Sequence, residues 1–192
     1  MSQGEHGRVI KATAFIVGAD SGPGAVLFSL AQGFGFSAVM PFREMGAVEK
    51  QFERTPLCFF LFAGSTDVAA LRATTRTLRH AGDRRLIFSP QIYFTENPGL
   101  DLIRMAIGLG FDDIISLPIA PARVEERLRR QVNRPIVYFE TASYIGPDRR
   151  TRQIPNDPGH KLRGTGGWHR RIEFTRSFDH GMALLRNEVF EN

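Results

Sequence analysis

Arginine is the residue type whose clustering in this sequence could carry chemistry. Arg149, Arg150 and Arg152 follow a Gly146-Pro147-Asp148 turn. Planar guanidinium groups at that spacing form a fork for phosphate or carboxylate oxygens. The alternative is structural, with Arg149 or Arg150 clamping the tail onto acids such as Glu125 or Glu126. Trp168, Arg170 and Arg171 form a second cluster. An indole beside cations offers a stacking surface for a base and equally an anchor for a loop. Between Arg149 and Arg176 basic residues outnumber the acids Asp157 and Glu173 by eight to two. Such an excess attracts phosphate groups, nucleic acid or an acidic protein face, and it also suits a merely solvated segment.

Other chemistries lack their residues. The five histidines are scattered without metal-ligand spacing. The single cysteine, Cys58, lies in an apolar run and excludes an intramolecular disulfide or a cysteine-rich zinc site. No Gly-x-Ser-x-Gly or phosphate loop occurs, and Gly18 to Gly24 lacks the spacing of a dinucleotide-binding turn. Enzyme function receives no positive support, and no cofactor or metal is implied.

The elements that position these residues alternate. Apolar runs at Ala12 to Val17, Ser37 to Met40, Leu57 to Ala63, Arg85 to Phe88 and Ile114 to Ser116 are predicted strands, with Leu57 to Ala63 central. Helices are expected over Ala25 to Gln32, Met45 to Arg54, Val68 to His80, Leu100 to Leu109 and Pro121 to Val132. Gly110 is expected as a left-handed cap. Five strands interleaved with helices give an α/β domain with a doubly wound, five-stranded parallel sheet, whose ligands bind beyond the carboxyl ends of the strands. After Asn133 the chain turns rich in Gly, Pro and Arg. An irregular extension is expected there, with an extra strand at Ile136 to Phe139 and a terminal helix over Ser177 to Phe190. The division is a tail over 1–11, one domain over 12–133 and a basic extension over 134–192.

The composition, 42% hydrophobic and 23% charged with a net charge of +5, is ordinary for a globular chain. The apolar runs are too short to span a bilayer, and no secretion signal is read in the first residues. A cytoplasmic location is the default expectation.

Two stretches resemble a known family. AIGLGFDDIISLPIAPARVEERLRRQV is similar to the last third of a CheY-like receiver domain of bacterial two-component response regulators, and AFIVGADSGPGAVLFSLAQGFGF resembles that family's opening. The segment Tyr144-Ile-Gly-Pro-Asp-Arg-Arg150 resembles one that follows the receiver in some relatives. The resemblance implies a pocket of five parts. An acidic pair holds Mg²⁺, an aspartate ending the third strand takes phosphate, a hydroxyl follows the fourth strand, and a lysine precedes a proline after the fifth. Here the acidic pair falls on Gly18 and Ala19, with Asp20 one residue late as a helix N-terminal residue. The acceptor falls on Phe62 and the lysine on Leu117, while Ser89 matches the hydroxyl. A degenerate pocket filled by Phe62 and Leu117 is expected. The resemblance then implies a pseudo-receiver that meets a signalling protein partner, or a second copy of itself, through its last helix-and-strand face. The arginine-rich tail makes binding of a nucleotide such as cyclic di-GMP, or of nucleic acid, the alternative.

Overall fold

The computed structural model describes residues 9–20, 22–64, 68–149 and 168–191. Its first part follows the strand–helix alternation. Strand β1 (Ile10–Val17) leads to α1 (Gly22–Ala31), β2 (Phe36–Phe42) to α2 (Met45–Phe52), and β3 (Cys58–Ala63) to α3 (Val68–Arg79). Then come a short helix α4 (Arg84–Ile87), β4 (Gln91–Thr95), α5 (Leu100–Gly108), β5 (Asp113–Ser116) and α6 (Pro121–Arg129). The five strands form one parallel sheet in the order β2-β1-β3-β4-β5. That is the flavodoxin-like doubly wound order.

Central strands of such a sheet are buried on both faces, and β3 shows it with Cys58 through Phe62 fully buried. One face carries Ile16, Leu27, Leu61, Phe94 and Val124; the other carries Phe15, Phe60, Phe62, Tyr93 and Phe111. Burial also pushes the Cys58 thiol up to about 12, a desolvation that the nearby Arg85 only partly opposes, so it is an inert core residue.

Three expectations are corrected. Arg85 to Phe88 is not the fourth strand. Asp83 caps it as a helix, its carboxylate accepting the Arg85 backbone N–H at 2.8 Å. The strand is Gln91–Thr95, whose five residues are all buried, as a central position demands. Nor does a terminal helix span Ser177 to Phe190, because the helical spacing of Met182, Leu185 and Val189 is incidental. Gly181, at φ +70°, turns the chain, and its left-handed geometry brings Pro56 O within 2.7 Å of where a Cβ would stand.

Finally, the described part of the extension is not irregular. Strands β6 (Pro135–Glu140), β7 (Ile145–Pro147), β8 (His169–Ser177) and β9 (Gly181–Phe190) form an antiparallel sheet in the order β7-β6-β8-β9. The expected strand at Ile136 to Phe139 is its second member. In β8 every second residue, Ile172, Phe174 and Arg176, is buried. With Tyr138, Ile145 and Phe88 they make a third core between this sheet and the base of the parallel one.

Candidate functional site

The carboxyl ends of β3, β4 and β5 open on a cleft of about 660 Å³, lined among others by Val26, Ala63, Gly64, Thr95, Leu100 and Leu117. This is where a doubly wound sheet binds its ligand. Gly18 sits at φ +74°, and Gly24 packs so closely that a Cβ on it would stand 1.7 Å from Gly18 O. The β1–α1 turn is therefore a close backbone contact, with no side-chain oxygens at Gly18 and Ala19. Ala19 packs on the apolar core.

Asp20 lies two residues before the start of α1. Its carboxylate accepts from Arg43 Nη2 at 2.7 Å in a pair about two-thirds exposed on each side. Arg43→Ala should shift unfolding free energy by less than about 0.5 kcal/mol in a urea titration, since so exposed a pair is heavily screened.

Phe62 lies at the end of the middle strand but does not fill the cleft. Its ring turns into the core and meets Phe111 edge-on at 4.9 Å, which leaves Ala63 and Gly64 to line the opening. Leu117 does line it, followed by a cis Leu117–Pro118 peptide. Ser89 is displaced by the correction to β4. It precedes the strand, is fully buried, and donates to Arg85 O at 2.7 Å. Thr95 stands at the carboxyl end instead, its hydroxyl bonded to Asn97 O and N at 3.2 Å.

Glu96 and Asp101 also line the cleft, both on its outer rim; Asp101 leans on Arg104 at 3.4 Å with its side chain fully exposed. Mg²⁺ and a phosphoryl group do not fit this donor set. The positions that would face the ion offer hydrogen, methyl and aliphatic groups, whereas hard cations need oxygens. Among the described residues no group of three His, Cys, Asp or Glu side chains could hold a metal ion.

The tail arginines are employed within the fold. Arg149 reaches back to Phe111 O at 2.5 Å, and not to Glu125 or Glu126. Those acids pair within α6, Glu125 with Arg129 at 2.8 Å and Glu126 with Arg123 and Arg130. Arg170 pairs with Glu140 at 3.0 Å, and Arg171 with Glu173 at 3.1 Å. Trp168 is 42% exposed at the start of β8. Arg150 and Arg152 lie outside the described residues.

The Tyr-x-Gly-Pro-Asp-Arg motif acts as a clasp. Gly146 lies so near Gly110 that its Cβ would stand 2.7 Å from Gly110 Cα. Tyr144 donates its hydroxyl to Pro147 O at 3.2 Å, and Asp148 N–H bonds to Val137 O at 2.8 Å.

Beside this clasp lies a buried network that the sequence did not announce. Asp112, 2% exposed, accepts from Arg79 Nη2 at 2.8 Å, from Arg176 Nη2 at 2.8 Å, from Tyr138 OH at 2.6 Å and from Gln91 N at 2.8 Å. Other guanidinium donors reach carbonyls, Arg79 to Ile87, Ser89 and Gly110, and Arg176 to Phe88. Arg176 Nη2 also donates to the Tyr138 hydroxyl at 2.7 Å, while Arg79 Nε and Arg176 Nη1 are buried without a hydrogen-bond partner. Two buried cations share one carboxylate, so backbone dipoles carry part of the compensation.

Burial alone would raise the Asp112 carboxyl, but Arg176 and Arg79 outweigh it and hold it at about 2. Burial likewise drives the Tyr138 phenol up and keeps it neutral. A carboxyl depressed below its unfolded value near 3.9 stabilises the fold fully above that pH, and the gain is lost as pH falls toward 2. Unfolding free energies from urea titrations at pH 6 and pH 2.5 should differ by about 2 kcal/mol more in the parent than in Asp112→Asn. Asp112 appeared in the sequence only as one half of an Asp-Asp pair. Its partners stand 21 to 64 residues away, a distance that no local pattern reports.

No protein-family model matches the sequence, and neither does any curated protein. Solved structures do match. A pilus assembly-related protein from Burkholderia pseudomallei is 17% identical, with 62% of this chain and 88% of that one covered at a TM-score of 0.45. A CheY-like receiver domain protein from Methanospirillum hungatei is 19% identical over 62% and 91%, at 0.39. A response regulator in red-light signalling from R. palustris is 18% identical over 62% and 90%, at 0.41. Identities this low concern the fold alone, which the strand order carries independently. In strand order and crossovers the chain has the CheY-like α/β fold, extended by an antiparallel sheet.

Proposed function

We propose that the chain is a pseudo-receiver: a signalling adaptor, working in the bacterial cytoplasm, that takes no phosphate and acts through protein contacts. One observation carries the reading. Where a receiver needs an acceptor carboxylate and a lysine, the cleft presents Ala63, Gly64 and Leu117, and the positions of the acidic pair are Gly18 and Ala19. A largely apolar lining without lysine or arginine cannot stabilise the charge that develops in phosphoryl transfer, so that transfer is not its use.

Such a lining suits an apolar side chain of a protein. Val26 (57% exposed), Leu30 (42%) and Leu100 (71%) stand on or beside its rim. The nucleotide alternative has less support. Arg149, Arg170 and Arg171 each already have an internal acceptor, and recruiting them for phosphate would break the Arg149 contact to Phe111 and two contacts within the antiparallel sheet. The outer face of α6 is likewise occupied by its own ion pairs.

The tagged chain, incubated with lysate of its source cells with and without Mg²⁺ and a small phosphodonor, should retain the same proteins at the same yield. The double variant Val26→Glu, Leu100→Glu should retain them at least about tenfold less well, because two buried apolar contacts would be replaced by charges. Retention that appears only with the phosphodonor, or that ignores the double variant, contradicts the proposal.

A further inference from the structure

Strand β9 closes one side of the antiparallel sheet, and among the described residues no strand lies beyond it. It is ten residues long and presents Leu184 (39% exposed), Leu185 (55%), Val189 (55%) and Phe190 (41%). Long apolar edges of this kind invite pairing with another chain, and proteins usually blunt them with lysine or proline. Gly181 to Phe190 contains neither. Its one irregularity is a bulge that leaves Leu185 as the extra residue opposite Glu173 and Phe174, so Arg186 to Phe190 run regularly.

The order of side chains along this edge is self-complementary. In an antiparallel pair of two identical strands centred on Asn187, residue numbers opposite each other sum to twice 187. Arg186 then faces Glu188 of the second copy, twice by symmetry, within the regular stretch. Opposed residues share a face of the sheet. One face therefore gains two ion pairs, and Asn187 meets itself on the axis. Within one copy Glu188 lies 3.8 Å from Arg186 and 3.9 Å from Arg171, both long contacts, and the Arg186 and Glu188 side chains stay 61% and 41% exposed, so each can still reach a partner.

We infer that two copies of this chain associate through their β9 edges, antiparallel and centred on Asn187, joining the two four-stranded sheets into one of eight strands. The interface is isologous, as two-fold dimers require. It lies away from the cleft, so this inference stands or falls separately from the proposed function.

Light scattering on the full chain should give a concentration-dependent dimer. Arg186→Glu places two like-charge pairs in the interface and should weaken the dimer by about tenfold or more. Glu188→Arg should do the same, and the double exchange Arg186→Glu, Glu188→Arg should restore it.

An independent reading uses Asn187→Cys. Opposed Cα atoms in an antiparallel pair are about 4.5–5.5 Å apart, within disulfide reach. Mild oxidation should therefore yield a covalent dimer. Ala183→Cys should not, since in this register the two copies' residue 183 lie about 26 Å apart at roughly 3.3 Å per residue. The buried Cys58 stays silent in both. A monomer at every concentration with no Asn187→Cys dimer overturns the inference. A dimer indifferent to Arg186→Glu, or cross-linked equally through residue 183, overturns it as well.

Discussion

Asp112→Ala should lower the unfolding free energy by about 3–5 kcal/mol, the range for removing one partner of a buried ion pair. The loss is large because of what remains. Arg79 and Arg176 are 2% and 0% exposed and would face each other without an anion, with the Tyr138 hydroxyl also stripped of its acceptor. Neither guanidinium can shed its proton to escape the penalty. The neighbouring Asp113 is the control. It pairs with Arg127 on the rim of β5 and α6, at 34% and 18% side-chain exposure. Asp113→Ala should cost about 1 kcal/mol, because water re-solvates the partner. Urea unfolding of the two variants side by side checks the contrast; equal losses would mean that Asp112 is not the hub joining the sheets.

Gly110→Ala should cost about 2–4 kcal/mol, the sum of a left-handed backbone penalty and an overpacked contact. Gly110 sits at φ +81°, and a Cβ there would stand 2.4 Å from the carbonyl oxygen of Ile145. That oxygen belongs to β7, so relief of the clash means lifting the clasp away from the parallel sheet. Gly46→Ala is the opposite case. It lies inside α2 with nothing near its absent side chain, and alanine should stabilise by about 0.5–1 kcal/mol through backbone entropy. Thermal melts of both variants test the assignment.

The parallel sheet was legible in the sequence because its signals are local. A run such as Cys58 to Phe62 reads as a strand buried on both faces wherever it stands. Glycines placed the turns at Gly18 and Gly110 for the same reason. The fourth strand was misread because Leu86, Ile87 and Phe88 form a short apolar run before the true one; the cap at Asp83 and the arginines at 84 and 85 were the counter-signals. The antiparallel sheet was largely illegible. Its strands pair residues such as Pro135 and Thr175, joined across a long stretch rich in Gly, Pro and Arg that masks their alternation.

The candidate site divides in the same way. The absent carboxylates could be read directly, since a residue type at a strand end is a sequence fact. Which side chain turns into the cleft could not, and Phe62 proved to belong to the core while Ala63 and Gly64 line the opening. The tail arginines showed the limit of composition. Arg149 and Arg170 are basic residues in a basic segment, yet their partners are a carbonyl of Phe111 and the carboxylate of Glu140. Charge excess measured what the segment could attract without showing what it already held.

The account turns on chemistry that the cleft cannot perform, and mass reports it directly. The full chain incubated with Mg²⁺ and a small phosphodonor should keep its intact mass unchanged, while an active receiver treated in parallel gains one phosphoryl group. An adduct localised by peptide mapping to Asp20, Asp67, Glu96 or Asp101 would contradict it.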